Sequence, residues 1–90
     1  MTKIEYVLDI SDERQKMIRK FVKQDPQRKI AVDKALRKIL QNPYGPKPLR
    51  YDMKNKRRIH LLEHFVMVYK IDGNLVIPLD IDHHDKIYGR

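Results

Sequence analysis

The chain has no cysteine among its 90 residues. That excludes both a disulfide framework and thiolate chemistry. It fits a reducing compartment, so a cytoplasmic location is expected. No apolar run approaches the ~20 residues a membrane-spanning helix needs, and no membrane partner is expected. Gly/Ser-rich and Pro-rich linkers, internal repeats and low-complexity tracts are all missing. This leaves a single domain over residues 1–90. The opening residues, Met1-Thr2-Lys3-Ile4-Glu5-Tyr6-Val7, contain an acid and no long apolar core, unlike a signal peptide. Acids are in short supply as well: 12 Asp and Glu against 20 Lys and Arg give a net charge of +8. Such an imbalance implies an anionic partner, either nucleic acid or an acidic protein.

What is present falls into two blocks. Lys3 to Ile10 is rich in β-branched and aromatic residues and is predicted as a first strand. Ser11 or Asp12 then caps a helix with acids in its first turn and an apolar stripe of Met17, Ile18, Phe21 and Val22. Asp25-Pro26 marks a break and a new start. A second helix follows, with Val32, Ala35, Leu36, Ile39 and Leu40 on one face, and Asn42-Pro43 stops it. The other sides of both helices are basic from Arg14 to Lys38. They form either a solvated surface or one that faces phosphates.

The second block is β. After an extended stretch from Pro46 to Met53 come three strands. The first spans Lys56–Leu62, the second Phe65–Ile71 and the third Leu75–Ile81, with Asp72-Gly73-Asn74 turning between the last two. Phe65, Met67, Tyr69 and Ile71 share one face and Val66 and Val68 the other, as expected of a central strand. In the last strand, alternation puts Leu75, Ile77, Leu79 and Ile81 on one side. Val76, Pro78, Asp80 and Asp82 fall on the other. Pro78 cannot donate to a ladder and marks an edge or a bulge. The expected fold class is α+β, with a two-helix hairpin packed on a small, mostly antiparallel twisted sheet.

The order strand–helix–helix–strands resembles the RelE/ParE toxin superfamily. The resemblance is carried by Asn42-Pro43, Lys47-Pro48-Leu49, Arg57-Arg58-Ile59, Phe65-Val66-Met67-Val68-Tyr69 and His83-His84-Asp85-Lys86-Ile87-Tyr88. It covers nearly the whole chain. It implies the toxin of a toxin–antitoxin pair, held by a cognate antitoxin. RelE-like members cut mRNA on the ribosome without a metal, whereas ParE-like members inhibit gyrase. Ribosome-associated mRNA cleavage, with no cofactor, is therefore the expected activity. The alternatives are a member that acts only by binding gyrase or its antitoxin, and a general RNA-binding module.

Carried onto this chain, the strand that usually bears paired lysines offers Arg58 and His60, two apart and so on one face. The arginine that the resemblance places before the Val-Tyr core falls on Val66. The arginine of the terminal motif falls on His84, and its tyrosine is kept as Tyr88. Cleavage by a ribose 2′-hydroxyl needs a base, an acid and positive charge on the phosphoryl oxygens. The expected catalytic residues are thus Arg58, His60, His84 and Tyr88. Lys47, Arg50, Lys54, Lys56 and Arg57 form a basic run suited to RNA. The cluster Asp80, Asp82, His83, His84 and Asp85 has metal-ligating residue types. A strand end, however, sends alternate residues to opposite faces, and no metal site is expected.

Overall fold

The computed structural model describes residues 4–46 and 56–88. In chain order the elements are β1 (Val7–Leu8), α1 (Asp12–Val22), α2 (Pro26–Gln41), β2 (Lys56–Leu61), β3 (Phe65–Asp72), β4 (Leu75–His83) and α3 (His84–Tyr88). Ser11 occupies the α1 cap without using its hydroxyl as one. Its own N–H instead donates to the Asp9 carboxylate at 2.9 Å, and the Gln15 side-chain amide donates to the Ile10 carbonyl at 2.6 Å. The bond from the Ser11 backbone is the main reason that the Asp9 carboxyl lies below its usual range. At α2 the Asp25 carboxylate accepts from the Gln27 N–H at 2.9 Å, with Pro26 opening the helix.

The sheet runs β1-β4-β3-β2, with β1 parallel to β4 and the other pairs antiparallel. Of the strand expected over Lys3–Ile10, the described residues form a strand only at Val7–Leu8, and Pro78 accounts for its C-terminal end. Val7 N–H donates to Asn74 O and Asp9 N–H to Val76 O, both at 2.8 Å. The next bond of a parallel ladder falls to the N–H of residue 78, which proline lacks. Between β3 and β4 a two-residue turn places Gly73 at φ +60°, a conformation that glycine adopts without steric cost.

Pro78 also sits at a bulge. Val68 pairs with Asp80 and Tyr69 with Pro78, so Leu79 is the extra residue. The bulge overturns the strict alternation expected for β4. Val76 and Ile81 both pack on the helix side, while Leu79 joins Val66, Val68 and Ile87 on the opposite side.

Two cores result. The larger lies between the sheet and α1–α2, around Phe21, Val32, Ile39, Leu61, Met67 and Tyr69. The smaller lies under α3, a short helix that the sequence pattern did not announce, which covers Val66 and Val68 with Ile87. Tyr69 is fully buried and its hydroxyl donates to the Pro43 carbonyl at 2.6 Å, tying the middle of β3 to the end of α2. Arg28 is held with its guanidinium carbon 4.5 Å from the ring centroids of both Phe21 and Phe65. The two rings meet edge to face.

Burial pushes the Tyr69 phenol up from its ordinary 10.0 to about 12, against an opposing pull from the Arg57 guanidinium. The folded state favours the neutral phenol. This contribution is therefore complete below pH 10 and is lost as pH climbs from 10 toward 12. Its full size is about 2–3 kcal/mol. Tyr69→Phe leaves the Pro43 carbonyl buried without its donor and is expected to cost about 1–3 kcal/mol in urea unfolding. The variant should also lack that part of the alkaline loss of stability.

Candidate functional site

Among the described residues β2 lies at one edge of the sheet, and its alternation decides what faces the side away from the helical hairpin. Ile59 and Leu61 point into the helix-side core. Arg58 and His60 therefore lie on the other face, opposite Val68 and Val66 of β3. The three-residue turn Leu62–His64 fixes that register. On β4 the same two rows continue to Asp80 and Asp82. Across the sheet the rows read Arg58, Val68, Asp80 and His60, Val66, Asp82.

The start of α3 completes the group. His84 donates its backbone N–H to the His64 carbonyl at 2.6 Å, which brings its ring over His60. The two imidazoles stack with centroids 5.9 Å apart and planes 27° from parallel. The Asp85 carboxylate lies 3.5 Å from His84 Nδ1. A second stacked pair, His64 with His83 at 5.8 Å, forms nearby, and His83 also meets the edge of Phe65. All four histidines of the chain thus gather at one end of the sheet.

A cavity of about 520 Å³ opens beside β2, lined by Lys38, Gly45, Pro46, Arg58, Ile59 and His60. It brings Lys38 of α2 into the same space as Arg58 and His60. Sequence reasoning placed Lys38 among many helix cations and had no means to single it out. Gly45 and Pro46 belong to a turn held by Arg57, which donates to the Tyr44 carbonyl at 3.1 Å and to the Pro46 carbonyl at 2.7 Å. Its guanidinium carbon also lies 5.1 Å from the Tyr44 ring centroid.

Of the residues singled out in the sequence, Arg58, His60 and His84 come together. Tyr88 closes α3, and its side chain lies outside the described part of the structure. Lys47, Arg50 and Lys54 also lie outside the described residues. Lys56 begins β2 opposite Lys70, on the Arg58 side by alternation. Val66 is fully buried in the small core under α3. The position where the resemblance places an arginine is thus apolar and closed. Among the described residues no three His, Asp or Glu side chains converge as a metal would require.

A helical hairpin on a mixed sheet, with a basic outer strand and a histidine-bearing end, is the arrangement that the resemblance to the RelE/ParE toxin superfamily implies, and the comparisons with known proteins place the chain there. Residues 4–88 match the family described as ParE toxin of type II toxin-antitoxin system, parDE, and the chain belongs to that family. It is similar to a protein of Methanocaldococcus jannaschii that carries the name of a candidate toxin, RelE4. The two are 36% identical over 87 residues, covering 94% of this chain and 93% of that one. A Methanosarcina mazei protein of no stated function is 35% identical over 85 residues, covering 92% of this chain and 99% of that one. Membership implies a cognate antitoxin as partner. No helix among the described residues is long and apolar enough to cross a membrane.

Two substitutions separate scaffold from site. Val66→Arg forces a guanidinium into a filled apolar core. It should lower unfolding free energy by about 3 kcal/mol or more in a urea titration, rather than restore a working site. Arg57→Ala removes two bonds to carbonyls and should cost about 1–2 kcal/mol by the same measurement.

Proposed function

We propose that this toxin arrests translation by cutting mRNA on the ribosome in the cytoplasm, without a metal. The observation that carries this reading is the His60–His84 pair, set beside Arg58 and across a cavity from Lys38. Two adjacent imidazoles can supply both the base and the acid of a 2′-hydroxyl attack. His60 takes the proton from the 2′-oxygen. His84, with Asp85 in place as a counter-charge, protonates the leaving 5′-oxygen. Arg58 holds the phosphate through two parallel hydrogen bonds and Lys38 adds a point charge, so positive charge meets the oxygens where negative charge develops. Tyr88 stacks on a base or donates a proton. Lys47, Arg50, Lys54 and Lys56 extend the phosphate-binding surface.

A second reading has one specific observation in its favour. Val66 is buried where the resemblance places an arginine, so the site has lost a cation. A chain of this kind acts by binding, on gyrase or on its antitoxin alone.

Induction of the toxin without its antitoxin, followed by mapping of new RNA ends, separates these readings. Growth arrest with cuts inside translated mRNA is expected. His60→Ala and His84→Ala should each slow cleavage by about 10²- to 10⁴-fold. Arrest with intact mRNA and inhibited gyrase supports the binding reading. RNA affinity with no arrest and no product points to a general RNA-binding module.

A further inference from the structure

A second cavity, of about 450 Å³, opens at the histidine-bearing end of the sheet but on the hairpin side. Phe21, Phe65 and Arg28 line it together. The two rings meet edge to face with centroids 5.1 Å apart, and the guanidinium carbon lies 4.5 Å from each. A further bond pins the guanidinium there, since Arg28 Nη1 donates to the Phe21 carbonyl at 3.3 Å. Phe65 and Arg28 are only half-buried. A planar, cationic surface is therefore held at the wall of an open cavity. Lys20 and Gln24 border the cavity along α1, and Asp80 and Asp82 along β4.

Rings also link this cavity to the His60–His84 pair. Phe65 meets His83 edge to face at 5.8 Å, and His83 stacks on His64 at 5.8 Å with planes 5° apart. His83 directly precedes His84, whose ring stacks on His60. A strand of RNA leaving the site across this end of the sheet meets aromatic or imidazole surface as far as the cavity.

We propose that the cavity holds an unpaired base of the RNA, from a nucleotide next to the cut, stacked on the Phe65–Arg28 surface. The proposal rests on the nuclease reading and deepens it, because it assigns a specificity subsite on the hairpin side of the sheet. Stacking suits any base, since each has a π-face, and an arginine adds attraction between cation and ring. Charge decides which part of the nucleotide enters. A pocket for a phosphate presents cations alone. Here Lys20 and Arg28 are balanced by Asp80 and Asp82. Carboxylates repel a phosphate but accept hydrogen bonds from the N–H groups of a base edge. The phosphates stay outside. Lys20 also belongs to a basic surface of α1 formed with Lys16, Arg19 and Lys23, which can take them.

The test is single-turnover cleavage by the intact toxin on purified ribosomes. The ribosomes are programmed with mRNAs that carry an abasic nucleotide at each position beside the cut in turn. At one of those positions the missing base should slow the wild type by about 5- to 100-fold, the loss expected for one stacked base. Phe65→Leu and Arg28→Met keep apolar packing and remove the stacking surfaces. Each should slow cleavage of intact mRNA by a similar factor and be insensitive to the abasic nucleotide at that position. A residue that only stabilises the fold gives losses that multiply at every position. Lys29→Ala, which removes an exposed cation outside the cavity, should cut as the wild type does. A readout that needs no cleavage is titration of the toxin with single-stranded RNA hexamers, in which the Phe65 ring signals should shift in NMR spectra. No sensitive abasic position, multiplying losses in both variants, or a Phe65 ring unmoved by RNA would overturn the proposal. If cleavage persists under those outcomes, the nuclease reading stands without it. Shifted Phe65 signals with no cleavage of any mRNA defeat the nuclease reading and leave the base-binding cavity in place.

Discussion

The two-sided burial of β3 is the constraint on which the rest of the structure depends. Val66, Met67, Val68 and Tyr69 are all buried in succession, so this strand requires a layer on each face. The helical hairpin supplies one layer, and Tyr69 fastens it through the Pro43 carbonyl. Helix α3 supplies the other, by way of Ile87. α3 is short and begins at His84, so covering Val66 and Val68 also delivers an imidazole to the neighbouring strand. The packing that completes the core is the packing that assembles the site.

The fold was largely legible in the sequence, because its signals are local or periodic. The Asp25-Pro26 start, the Asn42-Pro43 stop, the Gly73 turn and the two-faced β3 each follow from residue type and spacing. What was not legible depends on pairing. The C-terminal end of β1 is set by Pro78, some seventy residues away, and the bulge at Leu79 appears only in the β3–β4 register. The site divides in the same way. Arg58 and His60 share a face by simple alternation. The contact of His84 with His60 required a helix at the terminal motif, and Lys38 enters only through the packing of α2 beside β2. Arg57, though part of the basic run, spends its hydrogen bonds on the turn that walls the cavity.

The buried Val66 reorders the electrostatics that the family resemblance implies. Positive charge at the proposed phosphate site comes from the outer strand and from α2, at Arg58 and Lys38, rather than from the middle of the sheet.

The central claim is that His60 and His84 act as a base–acid pair. The most direct test is the rate of single-turnover mRNA cleavage on purified ribosomes, with wild type beside His60→Ala, His84→Ala and the double variant. Each single variant should lose most of the rate, by about 10²- to 10⁴-fold. Cleavage by both single variants at the wild-type rate would contradict it.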